Sequence, residues 1–320
     1  RRQHSSLSGE QDLWNSSPYP LGLFNEPMGS KYSTAPRISS WKYDAANSKW
    51  KLHDPKKCKE EKKLVLNDEF TVLTYNIWFG RVEPKVRFRA IGDMVEKYEP
   101  DVVMFQEVES WIIEIFLAQE WAKQYFITDP DGRTIERYGV MMFSKVPFSE
   151  VINYPFPATK LGRKMLMATL PTSFGPPLLV GTFHLDSFPN MKAERKSEVE
   201  DMCELAKPFK RVLCAGDTNF IADEEKQNLE KGKFLDVWET LKPDEHGVTF
   251  STKDNLMARK GAQGMYEAHN RIDRMWYTQG TMKPLDVKLI GTKAIRADES
   301  SPLWPSDHYG LVSKLKFSKI

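Results

Sequence analysis

The stretch RVLCAGDTNF, Arg211 to Phe220, runs uncharged from Val212 to Gly216 and then presents Asp217, Thr218 and Asn219 in succession. A short apolar run bounded by polar residues reads as a strand covered on both faces, and such a strand belongs in a sheet with packed layers on either side. Its polar end is an ordinary place for a turn, because side chains regain water there. Asp217 and Asn219 could therefore simply close a strand, or they could open a site.

The flanks repeat the pattern. Met191 to Lys207 carries Val199, Met202, Cys203 and Ala206 at i, i+3, i+4 and i+7 against a charged opposite face, a helix that feeds straight into the strand. Upstream, FTVLTYNIWF (70–79) reads as a buried strand, and KVRFRAIGDMVEKY (85–98) as a helix with Phe88, Ile91, Val95 and Tyr98 on one face. Pro100 stops that helix, and DVVMFQEV (101–108) is a second buried strand, so the domain opens β-α-β. Another helix is expected from Ser110, its cap, to about Gln124, with Trp111, Ile112, Ile115 and Phe116 as its apolar stripe. Strand signals follow in YGVMMFS (138–144), KMLMATLP (164–171), LLVGTFHLDS (178–187), RIDRMWYT (271–278), LDVKLI (285–290) and HYGLVSKLKF (308–317). Helices mixed with hairpin-spaced strands argue for an α/β sandwich of two packed sheets flanked by helices, not a strictly alternating parallel sheet.

A chain of 320 residues, 40% hydrophobic and 12% aromatic, can bury one large core of about 250 residues plus an extension. No apolar run reaches the roughly 18 residues of a membrane helix, so no membrane partner is expected. With 46 basic and 44 acidic side chains, net charge neither demands nor forbids a polyanion, and any basic site must be local. Three scattered cysteines, Cys58, Cys203 and Cys214, make neither a disulfide framework nor a CxxC site and suit a reducing, intracellular compartment. The first residue is Arg1, and no apolar signal core follows, so the chain reads as a fragment. Residues 1–66, rich in Ser, Pro, Asn and Lys, read as a largely irregular extension in which Trp41, Tyr43 and Trp50 could pair across a small hairpin near 41–50. The charge run KKCKEEKK (56–63) reads as a linker, with the catalytic domain over 67–320.

Within that domain several apolar segments end in acids, amides or imidazoles: Asn76, Glu107, His184 with Asp186, Asp217 with Asn219, and Asp307 with His308, while Asp273 interrupts RIDRMWY. Singly each is a turn residue. Together they are costly to bury near one sheet edge unless they share partners or a cation. Oxygen donors without cysteine favour a hard ion, Mg²⁺ or Mn²⁺, and a His beside an Asp can be held cationic, which suits phosphoryl chemistry.

The motifs TYNI, QEV, HLDS, GDTN, IDR and SDH, in this order, resemble those of the endonuclease/exonuclease/phosphatase superfamily from about Phe70 to the C-terminus. That resemblance implies the four-layer α/β sandwich of deoxyribonuclease I. Within the superfamily, TYN, FQEV, HLDS, GDTN and PSDH are most similar to the TWN, LQEV, HLES, GDTN and PSDH of the tyrosyl-DNA phosphodiesterase 2 subfamily, with Tyr75 and Asp186 as mild departures; YPFPATKLGRKML (154–166) is also similar to its Pro-Phe-Pro-Ser-Thr-Lys segment.

The resemblance implies Mg²⁺-dependent hydrolysis of the bond joining a topoisomerase tyrosine to a DNA 5′ end, leaving a 5′ phosphate, in a repair enzyme; a monomer is expected, intracellular and either nuclear alone or nuclear and cytoplasmic. Under it, Glu107 and Asn76 hold or adjoin the metal, Asp217 accepts a proton from water, and Asn219 orients water or phosphate. His308 donates to phosphoryl oxygens with Asp273 fixing its tautomer, His184 is a second donor, and Asp307 serves either the metal or His308. Basic DNA contacts are expected at Lys160, Arg163 and Lys164 in one loop, at Arg195 opening a helix, and at Arg259 and Lys260 in a loop, with Ser187 as a phosphate donor. Tyr138 and Phe250 fall where the family has aromatics near its substrate channel. Other readings of the same fold are an AP endonuclease, a general nuclease, a lipid or nucleotide phosphodiesterase, or a non-catalytic binding scaffold.

Overall fold

Along Arg211–Asp217 successive side chains enter different layers: Leu213 and Ala215 join the core between two sheets, while Val212 and Cys214 face a helix. Glu69–Asn76 and Val102–Val108 do the same, sending Phe70, Val72, Val102 and Met104 inward and Leu73, Tyr75, Val103 and Phe105 outward. Both faces are buried, which is why these strands read as unbroken apolar runs.

The computed structural model describes residues 31–54, 63–220, 229, 232–261, 267–298 and 302–319. It contains two large mixed sheets. The first has eight strands in the order Met282–Ile290, Gly310–Phe317, Glu69–Asn76, Val102–Val108, Gly139–Ser144, Phe126–Thr128, Ser40–Asp44, Lys49–His53. The second has seven: Arg37–Ile38, Glu150–Pro155, Lys164–Leu170, Leu178–His184, Arg211–Asp217, Asp273–Thr278, Phe234–Asp236. Helices Pro84–Tyr98 and Ser110–Leu117 cover the first through Phe88, Ile91, Val95, Ile112 and Phe116. Helix Lys192–Ala206 covers the second through Val199, Met202 and Leu205, which completes the four-layer sandwich.

Strand register delivers the polar ends to one place. Parallel pairing sets His184 opposite Asp217, and antiparallel pairing sets Asp217 opposite Asp273, so the three form a row across adjacent strands. In the facing sheet Asn76 pairs with Gln106, and the register then shifts between Gln106 and Val108. The intervening Glu107 adopts a left-handed conformation, φ 60°, a bulge that re-aims its carboxylate. Gly216 has no room for a side chain: a Cβ there would lie 2.0 Å from the Phe183 carbonyl oxygen. The backbone beside Asp217 is thereby held close to its neighbour.

Several expectations change. The 40–53 segment is a hairpin, with Tyr43 edge-on to Trp50 at 5.4 Å, but it extends the eight-stranded sheet through Phe126–Thr128. Arg37–Ile38 likewise joins the other sheet beside Val151 and Ile152, so this part of the extension belongs to the sandwich. Residues 1–30, 55 and most of the charge run, 56–62, lie outside the described residues. The helix at Ser110 stops at Leu117, with a separate 3-10 turn at Ala122–Gln124, and Ser110 does not cap it; Glu109 holds the capping position and accepts the Trp111 indole N–H. Arg259 and Lys260 lie on a short helix, Leu256–Gly261, not in a loop. Among the described residues no helix is long and apolar enough to cross a membrane.

Candidate active site

Asp217 is the hub of the polar row. Its Oδ2 accepts from Asn76 Nδ2 at 2.9 Å and lies 3.3 Å from His184 Nε2 and 3.8 Å from His308 Nε2, while Oδ1 accepts from the Asn219 N–H at 2.9 Å. Burial pushes its carboxyl up to about 6, opposed by the charge of His308. His308 Nδ1 donates to Asp273 Oδ2 at 2.8 Å, which fixes the ring and leaves Nε2 facing Asp217. Although burial works against its charge, Asp273, Asp307 and Asp217 together hold His308 well above the ordinary histidine value. Asn219 is itself anchored, with φ 50° and Nδ2 donating to the Leu185 carbonyl at 3.0 Å, and so ties two site loops together.

Two further acids, Glu107 and Asp307, lie beyond Asn76. The Asn76 amide donates to both Asp217 and Glu107 Oε1, the latter at 3.3 Å, and its Oδ1 accepts from the Trp78 N–H. Glu107 Oε2 accepts from the Phe79 N–H at 3.3 Å, and burial raises its pKa. Asp307 is pushed up to about 7, chiefly by burial and also by the charge of Glu107. Its Oδ1 accepts from Ser306 Oγ at 3.2 Å and is 3.9 Å from His308 Nε2, whereas Asp273 holds the other ring nitrogen at 2.8 Å, so Asp307 is the acid of the pair that could also face a cation. A part-buried carboxylate, Glu107, whose charge raises the buried Asp307, offers oxygen ligands of the kind that suit a hard divalent ion. Asp217, Asp273 and His308 also bring ligand atoms within 4.8 Å of one another. With His308 cationic and hydrogen-bonded to Asp273, the trio offers a proton acceptor beside a proton donor.

On the other flank, Arg163 is buried and donates from NH1 to His184 Nδ1 at 3.2 Å and from NH2 to Ser187 Oγ at 3.2 Å. Arginine can only donate, so His184 carries its proton on Nε2, toward Asp217. Burial, and then the Arg163 and His308 cations, keep His184 well below the ordinary value, hence neutral. The Arg163 guanidinium also lies 4.9 Å from the Tyr138 ring centre, and that ring packs tilted against Phe79 at 4.8 Å. Arg163, His184 and Tyr138 border a cavity of about 380 Å³ that Arg137, Lys160 and Lys164 also line.

The expected DNA contacts divide. Lys160 is exposed at the cavity rim, but Lys164 Nζ is engaged by the Thr134 carbonyl and Glu136. Arg195 is 1% exposed and donates to the carbonyls of Asp186 and Phe188, so it braces the loop instead of meeting solvent; it lies in helical register with Val199 and Met202 on the buried face. Phe250 is buried with Ala258, Ala268 and Ile272 and packs 5.0 Å from His308, which makes it a wall of the imidazole site. Asp186 also serves structure, accepting from Thr159 Oγ1 and the Lys160 and Leu161 N–H groups.

Sequence reading missed three site residues. Ser306 Oγ donates to the Asn76 carbonyl at 2.6 Å, linking the loop before His308 to the facing strand. Arg87 is fully buried on a helical face that is otherwise apolar, and Glu198 is fully buried on a face it shares with Arg195 and Asp201 as well as Val199 and Met202. An Arg in register with Ile91 and Val95 was the legible signal for the first. Glu198 accepts from the Asp186 N–H, and burial pushes it up to about 7, with the charge of Asp186 adding to the rise. Because the folded-state pKa is raised, its stabilisation is complete below about pH 4.5 and is lost as pH rises through about 7. Glu198→Gln is therefore expected to lessen the decline in urea midpoint between about pH 5 and pH 8, and an unchanged pH profile would refute this.

Residues 73–308 match the model of the Endonuclease/Exonuclease/phosphatase family. Among solved structures the chain is similar to Danio rerio TDP2 complexed with single strand DNA product, at 25% identity and a TM-score of 0.66, covering 78% of this chain and 99% of that one. Truncated Caenorhabditis elegans TDP2 is similar at 21% identity and a TM-score of 0.65, covering 78% of this chain and 98% of that one. The human Nocturnin catalytic domain with bound sulfate is similar at 17% identity and a TM-score of 0.56, covering 80% of this chain and 97% of that one. The last two likenesses speak to the fold alone. No curated protein sequence matches the chain.

Proposed function

The chain belongs to the endonuclease/exonuclease/phosphatase family, and from that premise we propose that it hydrolyses the phosphodiester between a tyrosine and a DNA 5′ end, leaving a 5′-phosphate. The observation that carries this reading is the coupling of Asp217, raised to about 6, to a His308 fixed by Asp273 at 2.8 Å, beside the half-buried Glu107 and the buried Asp307. Likeness to Danio rerio TDP2, crystallised with a single-strand DNA product, directs that chemistry to DNA ends. The natural substrates would be topoisomerase adducts, repaired by a monomer in the nucleus.

Asp217 accepts a proton from the attacking water, its pKa lying close enough to neutrality for it to be ionised yet basic. His308, as the imidazolium, donates from Nε2 to the phosphoryl oxygens, where negative charge accumulates. Neutral His184 supplies a second N–H, and Asn219 orients water or phosphate. Glu107 and Asp307, with Asn76 beside them, would hold Mg²⁺ or Mn²⁺, which supplies charge neutralisation at a non-bridging oxygen and at the departing phenolate. A phenol with a pKa of about 10 leaves far more readily than a sugar alcohol, so little acid assistance is needed. Arg163, Ser187 and Tyr138 with the exposed Lys160 would receive the substrate beside His184.

Turnover is expected to be at least about 10²-fold faster on a 5′-phosphotyrosyl oligonucleotide than on abasic duplex or sphingomyelin, a discrimination of roughly 2.7 kcal/mol in transition-state binding. Preference for either competitor would overturn the assignment while leaving the family membership intact.

A further inference from the structure

Arg87 is 0% exposed, and its guanidinium uses all five N–H groups on main-chain carbonyls at 2.5–3.1 Å. Nε donates to Val82, NH2 to Trp78 and Gly80, and NH1 to Ile77 and Pro305. None of these bonds is to a carboxylate. The segment wrapped around it is irregular, with Trp78 and Glu83 both left-handed at φ 54° and 39°. That segment delivers the Trp78 N–H to Asn76 and the Phe79 N–H to Glu107, while Pro305 lies two residues before Asp307. One planar fork therefore joins the two chain segments that aim the metal-side acids, and its charge acts on both Asp307 and Glu107.

We propose that Arg87 is the positioning residue for the metal-side acids, clamping the 77–82 segment to Pro305 so that Glu107 and Asp307 face the same cation. This rests on the reading that Glu107 and Asp307 hold a divalent ion. Lysine keeps the charge but offers three donors from a single nitrogen, so it cannot span five carbonyls set around a planar group. A purely structural arginine is available for comparison. Arg211 is equally buried and donates to the carbonyls of Phe174, Pro176 and Ser318, but it lies at the far end of the strand that carries Asp217.

The test is calorimetric titration of Mn²⁺ alone, without substrate, into the whole chain and its variants, with folding checked by circular dichroism. Arg87→Lys is expected to weaken Mn²⁺ binding by about 10–100-fold, the usual effect of losing a group that orients metal ligands. Arg211→Lys is expected to leave Mn²⁺ binding unchanged even if it lowers the melting temperature. Wild-type affinity in a folded Arg87→Lys, or equal weakening in Arg211→Lys, would overturn the proposal. Failure of both Arg87→Lys and Arg87→Gln to fold would also overturn it, by showing that Arg87 serves the fold as a whole. Glu107→Gln separates this inference from its premise: wild-type Mn²⁺ binding there would sink the metal assignment itself, whereas lost binding there with wild-type binding in Arg87→Lys would sink only the role of Arg87.

Discussion

Asp217→Asn is expected to lower turnover on a 5′-phosphotyrosyl oligonucleotide by about 10²–10⁴-fold, the range for a lost general base. Asparagine can keep the hydrogen bond from the Asn219 N–H, but its amide nitrogen then faces the Asn76 amide and the His184 Nε2–H, both already donors, so the loss combines missing proton acceptance with a displaced neighbour. His308→Ala is expected to cost about 10²–10³-fold, as when one preorganised donor is removed from developing negative charge. The two groups lie 3.8 Å apart, and each shifts the ionisation of the other, so they act as a unit. The double variant should therefore be no slower than the worse single variant by more than about tenfold. Single-turnover kinetics checks this, because it reads the chemical step apart from product release. Either single variant within about tenfold of wild type would remove that residue from the mechanism and revive the reading as a binding scaffold.

How much was legible depended on whether the information was local. The strand Arg211–Asp217 and its relatives were plain because both faces are buried, and helix Pro84–Tyr98 because Phe88, Ile91 and Val95 repeat at helical spacing. The six polar motifs were legible for a related reason: an acid at the end of an apolar run is visible without knowing what it faces. What the sequence could not display was pairing across long separations. Ser40–Asp44 finds its partner at Phe126–Thr128, and Glu150–Pro155, with Asn153 and Pro155 breaking its apolar pattern, is a strand because Lys164–Leu170 and Arg37–Ile38 flank it.

Within the site, charge was the misleading signal. Arg195 was read as a DNA contact because it is basic and near HLDS, yet it lies on the buried face of its helix and bonds to carbonyls. Arg163 shows the opposite compromise: it is 5% exposed yet reaches His184 and Ser187 and borders the cavity. A buried arginine is tolerated only where its donors are met, so its register on a helix says more about its role than its charge does.

Chelation is expected to abolish turnover, and Mg²⁺ or Mn²⁺ to restore it. The physical reason lies in the half-buried Glu107 and the buried Asp307, carboxylates pushed toward protonation when no cation is present. Their burial is costly in either state: ionised they repel each other, and protonated they forfeit the charge that would bind phosphate through a metal. Glu107→Gln sharpens the test. It removes the charge and turns one carboxylate oxygen into an N–H donor facing either the Asn76 amide or the Phe79 N–H, both already donors. Turnover should fall by at least about 10²-fold, because lost ligand charge and a misaligned site act together. Part of the loss should be recovered by raising Mg²⁺, whereas Asp217→Asn should show no such recovery, since its defect is in proton transfer. Full activity in the presence of EDTA, or a Glu107→Gln defect indifferent to Mg²⁺, would contradict the metal role of Glu107 while leaving the Asp217–His308 unit standing.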